Sequence, residues 1–191
     1  MDIDLTKIAA FETPPEFAAW LAGNHATANE LWLKMYRKSS GVASVTWEQA
    51  VIEALAWGWI DGLKKSGDEQ SWFQRFTPRK PKSLWSQKNR THAERLIAEG
   101  RMQEAGMRAV NEAKADGRWQ AAYATGSEIE IPQDFLAELQ KYEKAEAAYG
   151  ALNRSRLFAI YYRLHTAKTE LTRQRRMARI INDLATKGTI D

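Results

Sequence analysis

The sequence predicts an α+β fold, mostly α. A small antiparallel three-stranded sheet with one helix occupies the N-terminal half, and the C-terminal half is helical. Three observations carry this. Glu30 to Arg37 alternates with period two, Leu31, Leu33 and Met35 falling on one face and Trp32, Lys34 and Tyr36 on the other. Two short aromatic and apolar runs, Trp59 to Lys65 and Ser71 to Thr77, flank the turn residues Ser66-Gly67-Asp68, which reads as a hairpin. After Pro81 only helical patterns follow. The 191 residues are expected to form one domain, residues 1–80 its α+β part and 81–191 its helical part. Thr125-Gly126-Ser127 is linker-like but too short to separate independent domains.

The elements follow in order. Thr13-Pro14-Pro15-Glu16 opens a helix by a capping box with proline at its first position, and Gly23 is expected to end it as a left-handed cap. Thr46 and Gln49 repeat the capping box, so Trp47 to Trp57 is a helix with Val51, Ala54 and Leu55 inward. Thr91-His92-Ala93-Glu94 is a third such box, starting a helix that runs to Gly100. Glu104 to Asp116 is a helix stopped by Gly117, and Trp119 to Ala124 continues as a helical turn. Pro132 opens the next helix. Segments from Tyr142 to Tyr149, Ser155 to Ala167 and Glu170 to Thr186 complete the set.

Composition narrows the classes of function. With no cysteine, disulfides and thiolate metal sites are excluded. The first residues lack a basic stretch followed by an apolar run, and no window reaches the ~20 apolar residues of a membrane helix. A cytoplasmic protein without membrane insertion is expected. A net charge of +4 permits an anionic partner without requiring one. The eight tryptophans build an aromatic core or line a cleft.

No catalytic constellation declares itself. His25, His92 and His165 are far apart and lie outside any zinc-binding spacing, so no metal and no cofactor is expected. Gly58, Gly62 and Gly67 lack the spacing of a phosphate loop. The most specific short string is Trp57-Gly58-Trp59-Ile60-Asp61-Gly62, which places Asp61 at a helix-to-strand junction. Asp61 either caps a turn, pairs with Arg75 or Arg79, or faces a cleft. The strip from Arg75 to Arg90 carries six basic residues and no acid. Pro78 and Pro81 hold it extended, and Ser83 or Ser86 is placed to cap the helix that follows.

The strings GWIDG, RFTPRKPKSLWSQKN, LIAEGRMQEAGMRAVNEAKADGRW and AKTELTRQRRMARIINDLATKG, in that order, resemble the YdeI/OmpD-associated family of bacterial proteins. The resemblance rests on Pro78, Arg79, Ser83, Trp85, Ser86 and Asn89, on Glu99 to Met102, on Asp116 to Trp119, and on Thr172, Arg173, Arg175 and Arg176. Leu171 departs from it, standing where a small or acidic residue is expected. The family is often labelled bacteriocin-protection, which implies a phenotype and not a reaction. The expected function is therefore a non-catalytic module binding a small molecule or a protein. Asp61, Arg79, Trp85, Asn89, Arg118 and Trp119 are its candidate ligand-binding residues. The alternative is sequence-independent nucleic-acid binding, with Arg75, Lys80, Lys82, Arg173 and Arg176 on phosphates and Trp85 stacked on a base.

Overall fold

The computed structural model describes residues 3–190. They divide into two compact units, one ending at Ala122 and the other beginning at Tyr123. The fold is α+β, with eight α-helices and one four-stranded sheet among the described residues.

In the first unit the strand order is β1-β2-β4-β3, formed by Ile8–Ala9, Leu31–Tyr36, Ser71–Pro78 and Trp59–Ser66 respectively. The three expected strands are present and antiparallel, β2 with β4 and β4 with β3. The correction is a fourth strand, β1, paired parallel to β2, which makes the sheet mixed. It is two residues long, too short for any alternation to register. The β3–β4 register shifts between Asp61 and Lys64, a bulge at Gly62 and Leu63.

Four helices complete this unit: α1 (Pro14–Asn24), α2 (Trp47–Ala56), α3 (Gln87–Ala98) and α4 (Glu104–Ala115). The α2 cap is reciprocal. The Gln49 amide donates to Thr46 Oγ1 at 3.3 Å, and the Thr46 amide donates to Gln49 Oε1 at 2.9 Å. Gly23 does not end α1. The helix continues to Asn24, and its cap residue His25 is right-handed. Nor does the Thr91 box start α3. Ser86 is the N-cap, its Oγ accepting the Asn89 amide at 3.1 Å, and Thr91 sits one turn inside. A hydroxyl three residues before an acid is necessary for a capping box but also occurs within helices. There Thr91 Oγ1 donates back to the Gln87 carbonyl. Trp119 to Ala124 is turn and extended chain, not helix.

The core of this unit joins one sheet face, through Leu31, Leu33, Met35, Trp59 and Phe76, to Phe17, Leu55, Trp85, Leu96 and Val110 from the helical segments. Two glycines set how closely α2 and α4 approach. A Cβ on Gly106 would lie 2.4 Å from the Ala56 carbonyl oxygen and 2.7 Å from that of Leu55. Gly58, at φ 72°, has the Ala105 carbonyl oxygen 2.8 Å from where its Cβ would be.

The second unit packs α5 (Gln133–Leu139), α6 (Glu143–Gly150), α7 (Arg154–His165) and α8 (Glu170–Lys187) around its own core. Phe135, Leu139, Ile160, Leu164, Ile180 and Leu184 are buried there. The Thr169 hydroxyl caps α8 by accepting the Thr172 amide, and left-handed Gly188 closes it.

Candidate binding site at the end of helix 2

The sheet and α2 meet at Gly58. Its left-handed backbone ends the helix, and its carbonyl accepts the Arg79 amide at 2.8 Å. This bond ties the start of the basic strip to the start of β3, two residues before Asp61.

Arg79 then organises the strip. Its guanidinium lies over the Trp85 ring, with Cζ 3.8 Å from the centroid, and Nη2 donates to the Leu84 carbonyl at 2.6 Å. Trp85 is 2% exposed, and its ring meets Trp119 edge-on at 4.9 Å. Lys82, at φ 66°, turns the chain sharply between these contacts. Arg118 closes the loop from the other side. Its Nη1 donates to the Ser83 carbonyl at 2.8 Å, while Nε is held by Asp116. Arg79 and Trp85 thus join Arg118 and Trp119, more than thirty residues further along the chain, in one clamp on residues 79–86. Asn89 is half-buried in the first turn of α3.

Asp61 sits beside this clamp. Its Oδ2 accepts the Trp47 indole N–H at 3.2 Å. Burial pushes its carboxyl above the usual carboxylate range. The Trp47 hydrogen bond and, more weakly, the Arg79 guanidinium pull it back only in part. Asp61 and Arg79 are therefore within electrostatic reach of each other. Arg75, the other expected partner of Asp61, is committed elsewhere, to Glu30 at 2.6 Å.

Trp47 and Lys88 were not legible as site residues. Trp47 opens α2 and is 39% exposed, with Lys88 Nζ 5.3 Å from its ring centroid. Lys88 pairs with Glu48 at 2.9 Å, and the half-buried His92 ring nitrogen lies 3.7 Å from the same carboxylate. Burial and the nearby Lys88 lower the His92 pKa, so its proton is held loosely. The signal available in sequence was the Thr46 box, which puts the next residue in an exposed first turn. It did not say that the indole would reach back to β3.

The alternative phosphate contacts divide. Lys80 and Lys82 are exposed. Arg75 is paired with Glu30, and Arg173 forks onto Asp134, one arm at 2.8 Å. Arg176 Nη1 donates to the Arg163 carbonyl at 2.7 Å and to Thr166 Oγ1 at 3.2 Å, closing the last turn of α7.

A helix-capped α+β unit with a half-buried carboxylate beside an arginine–indole clamp defines a class for this chain. It belongs to the family described as Domain of unknown function (DUF8412), whose model matches residues 9–109. Residues 128–187 match a second model, described as Bacteriocin-protection, YdeI or OmpD-Associated. That match covers α5 to α8, a narrower stretch than the resemblance seen in the sequence. No curated protein and no solved structure matches the chain.

Proposed function

We propose that the chain is a non-catalytic, cytoplasmic bacterial module that binds a small molecule or a peptide segment of a partner, in service of protection against bacteriocins or of a stress response. The binding group donates hydrogen bonds to Asp61 and lies against the Trp47 indole. The observation that supports this is the half-buried Asp61 carboxylate, which accepts the Trp47 indole N–H and whose pKa burial raises despite that contact. A purely structural aspartate at a helix–strand junction is normally paired well enough to be held low. Here the balance goes the other way, which suits a group completed by a ligand. The bacteriocin association comes from the description of the family matched by the second unit.

The test is a thermal-shift screen of the full chain against metabolites and short cationic peptides, repeated with Asp61→Asn and Trp47→Ala. A ligand that raises the melting temperature of the wild type, loses that effect in both variants and is recovered unchanged after incubation supports the reading. A ligand whose effect survives both substitutions removes the Asp61 site, and chemical conversion of the ligand removes the non-catalytic assignment.

A further inference from the structure

The second unit carries a cleft of about 370 Å³ between α7 and α8, lined chiefly by Tyr162, Arg163, Thr166, Arg176, Arg179 and Asp183. These side chains bring three guanidinium groups and one carboxylate. The carboxylate is already answered within its own helix. Buried Asp183 pairs with Lys187 at 2.9 Å and with Arg179 at 3.9 Å, and the Lys187 hydrogen bond leads in holding its carboxyl below the usual range. The lining is therefore positive on balance.

Arg176 gives this charge a direction. Its Nη1 is spent on the Arg163 carbonyl and Thr166 Oγ1, which fix the plane of the guanidinium. Among the described residues its Nε and Nη2 donors make no hydrogen bond. An immobilised guanidinium whose Nε and Nη2 donors share one open edge matches the fork geometry by which arginine holds phosphate or carboxylate. Arg179, with a side chain 77% exposed, stands over the same cleft.

We infer that this cleft binds a small oxyanion, the phosphate or carboxylate group of a soluble ligand, with Arg176 as the oriented fork and Arg179 as the second cation. The site lies wholly in the second unit and does not depend on the Asp61 reading.

The test is an amide-resolved NMR titration of the full chain with inorganic pyrophosphate and, separately, with citrate, at about 50 mM salt, where screening is modest. Saturable shifts confined to the end of α7 and the middle of α8 are expected with at least one anion. The tighter of the two tells phosphoryl from carboxylate chemistry. Arg179→Ala, which removes a mostly exposed side chain, should weaken binding about tenfold, the usual loss for one charge-assisted hydrogen bond. Arg176→Lys keeps the charge but not the fork and should weaken it similarly. The inference is overturned if neither anion gives saturable local shifts, or if Arg179→Ala binds as tightly as the wild type.

Discussion

At Asp61 burial opposes three favourable contacts, the Trp47 indole, a backbone amide and the Arg79 charge, and outweighs them, which has a consequence for stability. A carboxyl whose pKa is raised in the folded chain binds its proton more tightly there than when unfolded. Protonation thus favours the fold, and the ionised form weakens it at neutral pH. Asp61→Asn removes the charge and leaves an oxygen to accept the Trp47 indole N–H. Its melting temperature should equal or exceed that of the wild type at about pH 7. The gap should close as the pH falls toward about 4, the ordinary aspartate range, because the raised folded carboxyl has taken up its proton by then. Melting curves across that range check this, and a variant that is less stable at neutral pH would show that pairing with Arg79 dominates after all. The clamp residues behave differently. Trp85→Ala opens a cavity beneath the Arg79 guanidinium and beside Trp119, and should cost about 3–5 kcal/mol in urea unfolding. The sequence identified Arg79, Trp85, Arg118 and Trp119 as a set worth noticing. It could not say that the two guanidinium groups point at the backbone carbonyls of residues 83 and 84, because that depends on the left-handed turn at Lys82, which no residue type announces.

Among the elements, the best read were those with chemically specific ends. Thr46 and Gln49 located α2, and the helix expected over Glu170 to Thr186 is α8, one residue longer. Less legible were features fixed by neighbours. The two residues of β1 become a strand only because β2 offers them a partner, and Gly23 stays helical because nothing next to it requires a reversal. Gly106 is the sharpest case. In sequence it is a weak point within a helix, and alanine there should gain roughly 1 kcal/mol of helix propensity. In the structure a methyl group would press on the Leu55 and Ala56 carbonyls and on Met102 Sδ at 2.5 Å. The backbone atoms cannot rotate away, so α2 and α4 must separate. Gly106→Ala should therefore destabilise by about 1–3 kcal/mol net of the propensity gain, as measured by denaturant midpoint with unchanged slope. A stabilised variant would mean that the helices yield readily.

For the whole molecule, the change from mixed to helical patterning near residue 80 does not coincide with a boundary between compact units. Helices α3 and α4 join the sheet's core through Leu96 and Val110, and the division falls at Ala122 and Tyr123. The linker-like Thr125-Gly126-Ser127 just past that point is a local trace of the division, but it is too short to announce one, and the grouping itself resides in three-dimensional packing. The same holds for charge. A surplus of +4 and two arginine-bearing segments suggest a phosphate-binding surface. Folding, however, assigns Arg75 to Glu30, Arg173 to Asp134 and one edge of Arg176 to the end of α7. Of the five residues named for phosphates, Lys80 and Lys82 are the exposed ones. Each phosphate neutralised on a duplex contributes about −0.9 to the slope of log affinity against log salt. Two exposed lysines and the open edge of Arg176 thus support a slope no steeper than about −3 from this set. Duplex retention in a gel shift should accordingly be weak even at about 50 mM salt, and Lys80→Ala with Lys82→Ala should bring the slope to about −1. A slope of about −4 or beyond, unaffected by that double substitution, would require the paired arginines to leave their carboxylates for phosphate. It would restore nucleic acid as the partner this surface is built for.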